Sequence, residues 1–478
     1  MLFNSINFLF FIIVFFCLYW FVFKNNLKKQ NLLILVASYI FYGWWDWRFL
    51  SLIAISTVID YLMGYLINES VLKSRKRIFL SISLLSNLGM LGFFKYFNFF
   101  IYGFSDLLDI FGLNVNISTL NIILPVGISF YTFQTLSYTI DIYRGRINAT
   151  KNLIAFASFV SFFPQLVAGP IERASKLLPQ FEIKRKFDFD KARDGVRQIL
   201  WGFFKKIVIA DNLSQNVDYI YSNYSDLDPS ILLLGAIFFS FQIYCDFSGY
   251  SDIAIGLAKI FGFELMTNFK YPYFSKNIKE FWHRWHISLS TWFRDYVYFP
   301  LGGSINGSFN HIRNIILIFT ISGFWHGANW TFITWGFLHG IAYIPLLILN
   351  KSGKIWKNLD YIRNKYLNWL RNFVSILLTF SFVTITWIFF RANSITIAID
   401  YLKLMFQKGL FTFPSQQRAN IPILVIFIMV EWIQKDKVHP LQIGNLNVVL
   451  RYCIYLVVSF VILLFGSDSD MSFIYFQF

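Results

Sequence analysis

Charged residues are scarce in this sequence. They make up 14% of its 478 residues, whereas a soluble domain contains about 25%. Hydrophobic residues make up 56%, and the mean hydropathy is +0.53. Such a chain lacks the polar surface that water requires, so the composition predicts an all-α polytopic membrane protein. It also excludes nucleic acid as a partner, because no soluble basic domain is present to bind it.

Several chemical signatures are missing as well. Cys17, Cys245 and Cys453 lie in apolar surroundings and form no CxxC pair, so we predict neither a disulfide framework nor a cysteine metal site. The six histidines include no adjacent His-His pair, which argues against a membrane di-iron centre. No GxSxG, P-loop or GxGxxG motif occurs, which leaves a serine hydrolase or a nucleotide-driven pump without support.

Long apolar runs are abundant. The first is long enough for a span, and lysines follow it without a small-residue cleavage site, so we predict a retained span instead of a signal peptide. We predict about eleven crossings and one or two re-entrant pieces. They form one membrane domain, residues 1–478, with N-terminal spans in 1–120, a catalytic core in 121–350 and C-terminal spans in 351–478. The runs are residues 6–23, 31–41, 50–66, 78–104, 120–140, 152–169, 196–210, 231–244, 248–263, 312–324, 330–349, 373–390, 421–432 and 448–465.

Basic residues alternate between the loops. They follow the first, third and fifth spans, which places the N-terminus outside by the positive-inside rule. We ascribe the net charge of +16 mainly to such loops, although it would also attract an anionic donor, acceptor or lipid head group. The alternation fails at residues 152–169, because the next loop, 173–193, is basic again. Prolines and glycine interrupt that segment, so we predict a re-entrant or broken helix lining a functional cavity.

Five of the six histidines fall between residues 281 and 339, and all of them except His311 are candidates for a site. His326 lies in GFWHGANW at a break between two runs, and this position suits a general base and a buried structural histidine equally well. His283 and His286 would share a helix face, and either bind a metal, position a substrate or pair with a carboxylate. No third ligand lies at short spacing, so no metal site is predicted. His339 is predicted to be structural, in a turn flanked by glycine.

Ionisable residues near membrane depth are functional candidates by default. Asp246 and Asp252 lie six residues apart in YCDFSGYSD, across a glycine. They would act either as an acid and base pair or as counter-charges for Arg284 or Arg294, and we favour the second interpretation. Asp295 is a further candidate of this kind.

The same residues carry a family resemblance. The run YCDFSGYSDIAIGLAKIFGFELMTNFKYPYFSKNIKEFWHRWHISLSTWFRDYVYFPLGG, followed by FWHGANW, resembles the membrane-bound O-acyltransferase (MBOAT) family. Within that family it is most similar to the AlgI- and PatA-like branch of bacterial polysaccharide O-acetyltransferases. VAGPIERASKLLPQF and the terminal FIYFQF also look like this branch. The specific motifs extend over most of residues 125–478.

The resemblance implies a fold and two functional residues. The fold would be a ring of tilted transmembrane helices, with re-entrant or interfacial helices, around a central tunnel. The family's WHG histidine, regarded as catalytic, matches His326, and its second histidine matches His286. His283 stands where many relatives have arginine, which argues against an essential role. The tunnel lining would then draw on the remaining candidates, namely Asn329, Trp325, Arg284, Arg294, Asp295, Asp246 and Asp252.

The implied activity is acyl transfer, with no bound cofactor or metal. An acetyl group would pass from a cytoplasmic thioester, acetyl-CoA or an acyl carrier protein, towards a hydroxyl of an extracytoplasmic polysaccharide or peptidoglycan. The implied setting is the bacterial cytoplasmic membrane, with membrane lipid and a periplasmic or extracellular SGNH-type acetyltransferase as partners. The alternatives are D-alanyl transfer from a carrier protein to a cell-wall polymer, a scaffold for an external acyltransferase, and a transporter, for which no internal repeat is found.

Overall fold

The structure, a computed structural model, describes residues 1–113, 120–305, 307–351, 365–466 and 473–474. These residues form helices joined by mostly short connections, and no β-strand occurs among them. Two compact units can be distinguished. The N-terminal unit contains Met1–Ile199 and Ser251–Met266, and the C-terminal unit contains Leu200–Tyr250 and Thr267–Phe478.

The N-terminal unit is built mainly from the first ten α-helices. A π-helical turn extends the first of them at Leu18–Val22, and another joins the fourth to the fifth at Gly92–Tyr96. The helices are α1 Ile6–Cys17, α2 Leu27–Asp46, α3 Leu50–Glu69, α4 Lys73–Leu91, α5 Phe97–Ile110, α6 Ile128–Tyr143, α7 Leu153–Ser161, α8 Phe163–Leu166, α9 Ala174–Glu182 and α10 Phe189–Phe203.

The C-terminal unit contains the later helices and two further π-helical segments, Phe204–Asp211 and Arg294–Tyr298. Helices α10 and α12 contribute residues to both units. The helices are α11 Asn212–Ser222, α12 Pro229–Ile260, α13 Ile278–Arg284, α14 Ile287–Phe293, α15 Gly307–His326, α16 Trp330–Lys351, α17 Lys365–Arg391, α18 Ile395–Met405, α19 Ile421–Gln434 and α20 Val448–Phe465.

The chain is a multi-pass membrane protein. Among the described residues, six helical stretches are long and apolar enough to cross a membrane, and the eleven predicted crossings stay a prediction. The basic residues between 351 and 371 predict a further cytoplasmic loop, and half of them fall on residues 352–364, which lie outside the described residues. The six stretches are Leu27–Glu69, Lys73–Ile110, Pro229–Ile260, Trp330–Ile348, Tyr366–Arg391 and Val448–Phe465.

The helix boundaries correct the apolar runs at two places. The run 120–140 becomes helical only at Ile128, because Pro125 and Gly127, which has φ 75°, form the turn before it. The runs 231–244 and 248–263 form one helix, α12, since Gly249 continues it instead of breaking it. A Cβ at Gly249 would lie 2.8 Å from the carbonyl oxygen of Gly202. The glycine therefore lets α12 approach the chain around the π-helical segment Phe204–Asp211.

The segment at residues 152–169 is broken, as the sequence predicts. It forms two short helices, α7 and α8, that meet at Phe162. Pro164 lies in the first turn of α8, where the missing N–H costs no helical hydrogen bond. Nearly all of this segment is buried, so its interrupted backbone is covered by protein.

Candidate functional site

His326 is the last residue of α15, so the prediction that it lies at a break between two helices is confirmed. Its side chain is buried. Gly327 follows, and a Cβ there would collide with the ring of Phe332, which explains the small residue. Asn329 begins the next helix, because its Oδ1 accepts the backbone N–H of Thr331 at 3.0 Å. Its Nδ2 donates to the carbonyl oxygen of Asn393 at 3.1 Å, so the Asn329 amide shapes the turn.

His286 occupies a strained turn between α13 and α14. Its backbone is left-handed, with φ 42° and ψ 53°, which is costly for a side chain other than glycine. Asn268 holds this turn, since its carbonyl oxygen accepts the N–H of Ile287 at 2.9 Å and its Oδ1 accepts the Ser288 hydroxyl at 2.9 Å. His286 is fully buried. A strained conformation with such support is typical of a functional site.

The structure corrects the prediction that His283 and His286 share a helix face. Helix α13 ends at Arg284, and the left-handed turn then points the two histidines apart. His283 is exposed, and its Nδ1 lies 2.7 Å from the carbonyl oxygen of Lys279. His339 also differs from its prediction in one respect, because it lies inside α16 and is fully buried instead of occupying a turn.

The two predicted site histidines meet in the C-terminal unit. Their ring centroids are 6.1 Å apart, although forty residues separate them in the sequence. Trp325 contacts both rings, at 6.0 Å from His286 and 4.9 Å from His326. The ring of Trp335 lies 5.3 Å from His326, and that of Phe247 lies 4.7 Å from His286. The pair therefore sits in an aromatic enclosure, where electrostatic interactions are stronger than in water.

His286 is held by packing rather than by hydrogen bonds to its ring. Neither ring nitrogen has a hydrogen-bond partner within the described part of the chain. Burial lowers the pKa of its imidazole to about 3, so the ring is neutral at physiological pH. A neutral imidazole offers one N–H donor and one acceptor. Buried polar atoms without a partner are uncommon, and they point to a ligand or a catalytic role.

The predicted counter-charges for the arginines are wrong. Arg284 pairs with Glu280 on its own helix at 2.6 Å, and Arg294 pairs with its neighbour Asp295 at 2.9 Å. A carboxylate within one helical turn is a closer partner than one on a distant helix.

The two aspartates of α12 also have partners of their own. The Oδ1 of Asp246 lies 2.8 Å from the ammonium group of Lys206, which also contacts Asp211 at 2.7 Å. Asp252 accepts a hydrogen bond from the Gln198 amide at 2.7 Å. An acid and base pair formed by these two aspartates therefore gains no support from their contacts.

Sequence reasoning missed two buried lysines. Lys205 and Lys206 lie within the apolar run 196–210 and are only 3% and 6% exposed. The Lys205 ammonium group donates to the Ser248 hydroxyl at 2.9 Å. Adjacent lysines inside an apolar run were the available signal, because buried ammonium groups require polar partners.

The C-terminal unit contains a cavity whose lining includes sequence neighbours of the two histidines. Its volume is about 330 Å³, within the usual range of small-molecule sites. Ile287 directly follows His286, and Ser322 lies one helical turn before His326, whereas the two histidines themselves do not line the cavity. Part of the wall is cationic. The lining residues are Lys279, Trp282, His283, Ile287, Ser290, Thr291, Phe293, Arg294, Tyr298, His311, Ile315, Ile318, Phe319, Ser322 and Tyr343.

The basic loop at residues 173–193 belongs to the N-terminal unit, and much of its charge is engaged there. Arg185 is buried, donates to Asn31 Oδ1 at 2.7 Å and lies 4.8 Å from the Phe263 ring. Lys191 pairs with Glu264 at 2.5 Å. These contacts give the loop a structural role. The C-terminal unit has a cationic surface of its own, because Lys279 and Arg294 line its cavity.

The described residues contain no group of three His, Cys, Asp or Glu side chains placed to hold a metal ion.

The sequence matches the model of the MBOAT, membrane-bound O-acyltransferase family, over residues 7–386. It is 40% identical to the probable alginate O-acetylase AlgI of Pseudomonas aeruginosa, over 90% of this chain and 79% of that protein. It is 33% identical to the peptidoglycan O-acetyltransferase of Helicobacter pylori, over 95% of this chain and 92% of that protein. It is 30% identical to the teichoic acid D-alanyltransferase of Streptococcus thermophilus, over 46% of this chain and 56% of that protein.

Proposed function

Because this chain belongs to the membrane-bound O-acyltransferase family and is an O-acyltransferase, we propose that it moves an acetyl group from a cytoplasmic thioester to a hydroxyl of an extracytoplasmic polysaccharide or peptidoglycan. The observation that carries the proposal is the buried pair of His286 and His326, whose rings lie 6.1 Å apart. The protein would lie in the bacterial cytoplasmic membrane with its N-terminus outside.

His326 is the general base of this mechanism. Its imidazole takes the proton from the acceptor hydroxyl as the oxygen attacks the thioester carbonyl. The tetrahedral intermediate then collapses, the carbon–sulfur bond breaks, and the thiolate leaves with the proton that His326 returns.

His286 stabilises the oxyanion in this scheme. A neutral imidazole donates one N–H, and its two nitrogens have no other partner within the described chain. The site is desolvated, so a donor placed there is stronger than the same donor in water. Low pKa fits this role, because a proton donor that stays neutral does not compete with His326 for the acceptor proton.

The cavity lined by Ile287 and Ser322 is the proposed entrance for the donor. Lys279 and Arg294 would attract an anionic donor such as acetyl-CoA. His311 lies near the start of α15 and Tyr343 near the end of α16, and the sequence that follows α16 is rich in lysine and arginine. Basic loops mark the cytoplasmic side, which suits a cytoplasmic thioester. An acyl carrier protein is the second candidate for the donor.

The relatives support the choice of acceptor. Those that align with nine-tenths or more of this chain are named for alginate and for peptidoglycan, and both acceptors present hydroxyl groups outside the cytoplasm. A periplasmic or extracellular SGNH-type acetyltransferase would complete the transfer. D-alanyl transfer is less favoured, since the relative of that name aligns with only 46% of this chain.

Transfer of radiolabelled acetyl groups tests the proposal. The full chain, reconstituted in nanodiscs, is incubated with labelled acetyl-CoA, an SGNH-type acetyltransferase and either alginate or peptidoglycan. His326→Ala should lower transfer by about 10²–10⁴-fold, and His286→Ala by about 10²–10³-fold. His439→Gln, at a buried histidine outside the aromatic enclosure, is the matched control and should transfer like wild type. Equal transfer by wild type and His326→Ala would refute the mechanism.

A further inference from the structure

Asp246 makes two contacts that the proposed chemistry does not use. It lies in α12 and is 3% exposed. One carboxylate oxygen pairs with Lys206, at 2.8 Å. The other accepts the backbone N–H of Ile474 at 2.7 Å, across 228 positions of the sequence. The carboxylate therefore links the interior of the C-terminal unit to a segment close to the end of the chain.

The segment that Asp246 holds is itself buried. Phe473 is 1% exposed and Ile474 is 4% exposed. The ring of Phe473 packs against two residues of α12, at 4.9 Å from Tyr250 and 5.8 Å from Phe247. A hydrogen bond from a backbone N–H to a carboxylate is about twice as strong as one between two neutral groups. Asp246 thus fixes the position at which the Phe473 ring enters the core.

Phe247 connects this segment to the histidine pair. Its ring meets the His286 ring edge-on, with centroids 4.7 Å apart. His286 depends on such contacts, because its ring nitrogens have no hydrogen-bond partner among the described residues and its backbone is left-handed. Its orientation is therefore set by the rings around it. A displaced Phe473 would release Phe247, and a displaced Phe247 would let the imidazole rotate.

We propose that Asp246 is a positioning residue, which fastens the chain at Phe473–Ile474 beside Phe247 and so keeps His286 oriented for acyl transfer. The proposal rests on the role given to His286 above. It assigns Phe473 and Ile474 to the surroundings of the active site in the C-terminal unit, through their contacts with α12. Lys206 supports the arrangement, since its ammonium group pairs with the same buried carboxylate at 2.8 Å.

Hydrogen exchange tests the fastening without any assay of activity. The amide of Ile474 should exchange slowly in wild type, because it is buried and bonded to the carboxylate. Asp246→Ala should accelerate exchange in the C-terminal peptide by about tenfold or more. Asp211→Asn is the matched control, because Asp211 contacts the same Lys206 at 2.7 Å and should leave the exchange unchanged. Unchanged exchange in Asp246→Ala, or equal acceleration in both variants, would overturn the fastening.

A double-mutant cycle tests the positioning. Ile474→Pro removes the N–H that Asp246 accepts, whereas Ile474→Ala keeps it and serves as the control. Asp246→Ala and Ile474→Pro should each lower kcat by up to about 10²-fold with KM for acetyl-CoA unchanged, because misplaced catalytic groups reduce the rate without weakening donor binding. The double variant should lose no more than either single one.

Three results of the cycle would reject the positioning role: losses that multiply in the double variant, a raised KM with normal kcat, or normal activity despite faster exchange. Asp246→Asn, which keeps an oxygen for the Ile474 N–H, should retain more activity than Asp246→Ala, and it supplies the comparison if the alanine variant does not fold. Failure of the proposed function is distinguishable, because wild type would then transfer no more label than His326→Ala while the exchange result stands.

Discussion

The indole N–H of Trp282 donates to Nδ1 of His339 at 3.2 Å. The other ring nitrogen of His339 lies 3.0 Å from the Thr386 hydroxyl, which in turn donates to the carbonyl oxygen of Val383 at 2.8 Å. Nδ1 accepts, so Nε2 carries the proton and donates to Thr386. His339 is therefore a fully bonded, neutral histidine, whereas the ring nitrogens of His286 have no partner in the described chain.

We expect His339→Leu to destabilise the protein, because it leaves the Trp282 indole and the Thr386 hydroxyl with fewer partners. Each buried group left unsatisfied costs about 1–3 kcal/mol. His326→Gln should leave the melting temperature in detergent close to wild type and abolish transfer. Fluorescence-detected thermal unfolding and the labelled-acetyl assay separate the two effects. A His339→Leu protein of normal stability without activity would instead place His339 in the chemistry.

Much of the helical framework was predictable from composition. The run 448–465 coincides with helix α20, Val448–Phe465, and His326 falls at the end of α15, as the break in apolar residues indicates. These features depend on local sequence, because a long apolar run has few alternatives to a buried or membrane helix. The broken segment at 152–169 was predictable for the same reason, since Pro164 interrupts it locally.

Pairing between distant residues was not predictable. Asp246 has several cations at comparable distance in the sequence, and its choice of Lys206 depends on the π-helical segment Phe204–Asp211 and the close approach allowed by Gly249. The prediction that His286 shares a helix face with His283 is wrong for a related reason. The spacing from His283 fits a helix, but Asn268 stabilises a left-handed turn that no periodicity reveals.

Asp60 should tolerate replacement by asparagine. Its carboxylate, buried in α3, accepts the Ser83 hydroxyl at 2.6 Å and the Asn87 amide at 2.8 Å. No lysine or arginine pairs with it within the described ranges. Asp60→Asn keeps an oxygen for these donors and should change the free energy of unfolding by less than about 1 kcal/mol. Asp60→Leu removes an acceptor from both donors and should cost about 1–3 kcal/mol in total, because Ser83 still meets the Thr139 hydroxyl and Asn87 still donates to the Ser83 carbonyl oxygen, each at 2.9 Å.

Chemical or thermal unfolding in detergent measures the difference between the two Asp60 variants. Ser83→Ala is the intermediate case, because it removes one donor and leaves the carboxylate with Asn87. If Asp60→Asn is as destabilising as Asp60→Leu, the carboxylate must act as an ion, and the purely hydrogen-bonded description of this cluster is wrong.

Glu172 should make the stability depend on pH. It lies in the connection between α8 and α9, and burial raises the pKa of its carboxyl group to about 7, although its Oε1 accepts the Met266 N–H at 2.5 Å. The folded state then binds a proton more tightly than the unfolded state. Stability is therefore full below about pH 4.5 and falls as the pH rises through about 7, by on the order of 3 kcal/mol.

Glu172→Gln removes this titration. The melting temperature of the variant should therefore vary less than that of wild type across the pH range of about 4.5 to 7. The exposed Asp190→Asn is the control, and it should keep the wild-type slope. An unchanged slope in Glu172→Gln would show that another group dominates this range.

The crossing of α15 and α16 depends on Gly336. A Cβ there would lie 3.1 Å from the Cα of Gly323 and would collide with the carbonyl oxygen of Phe319. Gly336→Ala should therefore push the two helices apart, at a cost of about 1–3 kcal/mol in the free energy of unfolding. Trp335 would move with its neighbour, and its ring contacts His326, so transfer should fall too.

Gly89→Ala is the opposite case, because a Cβ at this position in α4 meets nothing within 4 Å. Alanine in a helix interior is favoured over glycine by about 0.5–1 kcal/mol, so this variant should be slightly more stable than wild type and equally active. The opposite signs of the two changes test the cause directly, since both add the same methyl group to a helical glycine. If both variants lose stability, replacement of glycine is itself destabilising, and the close contact between α15 and α16 is not the cause.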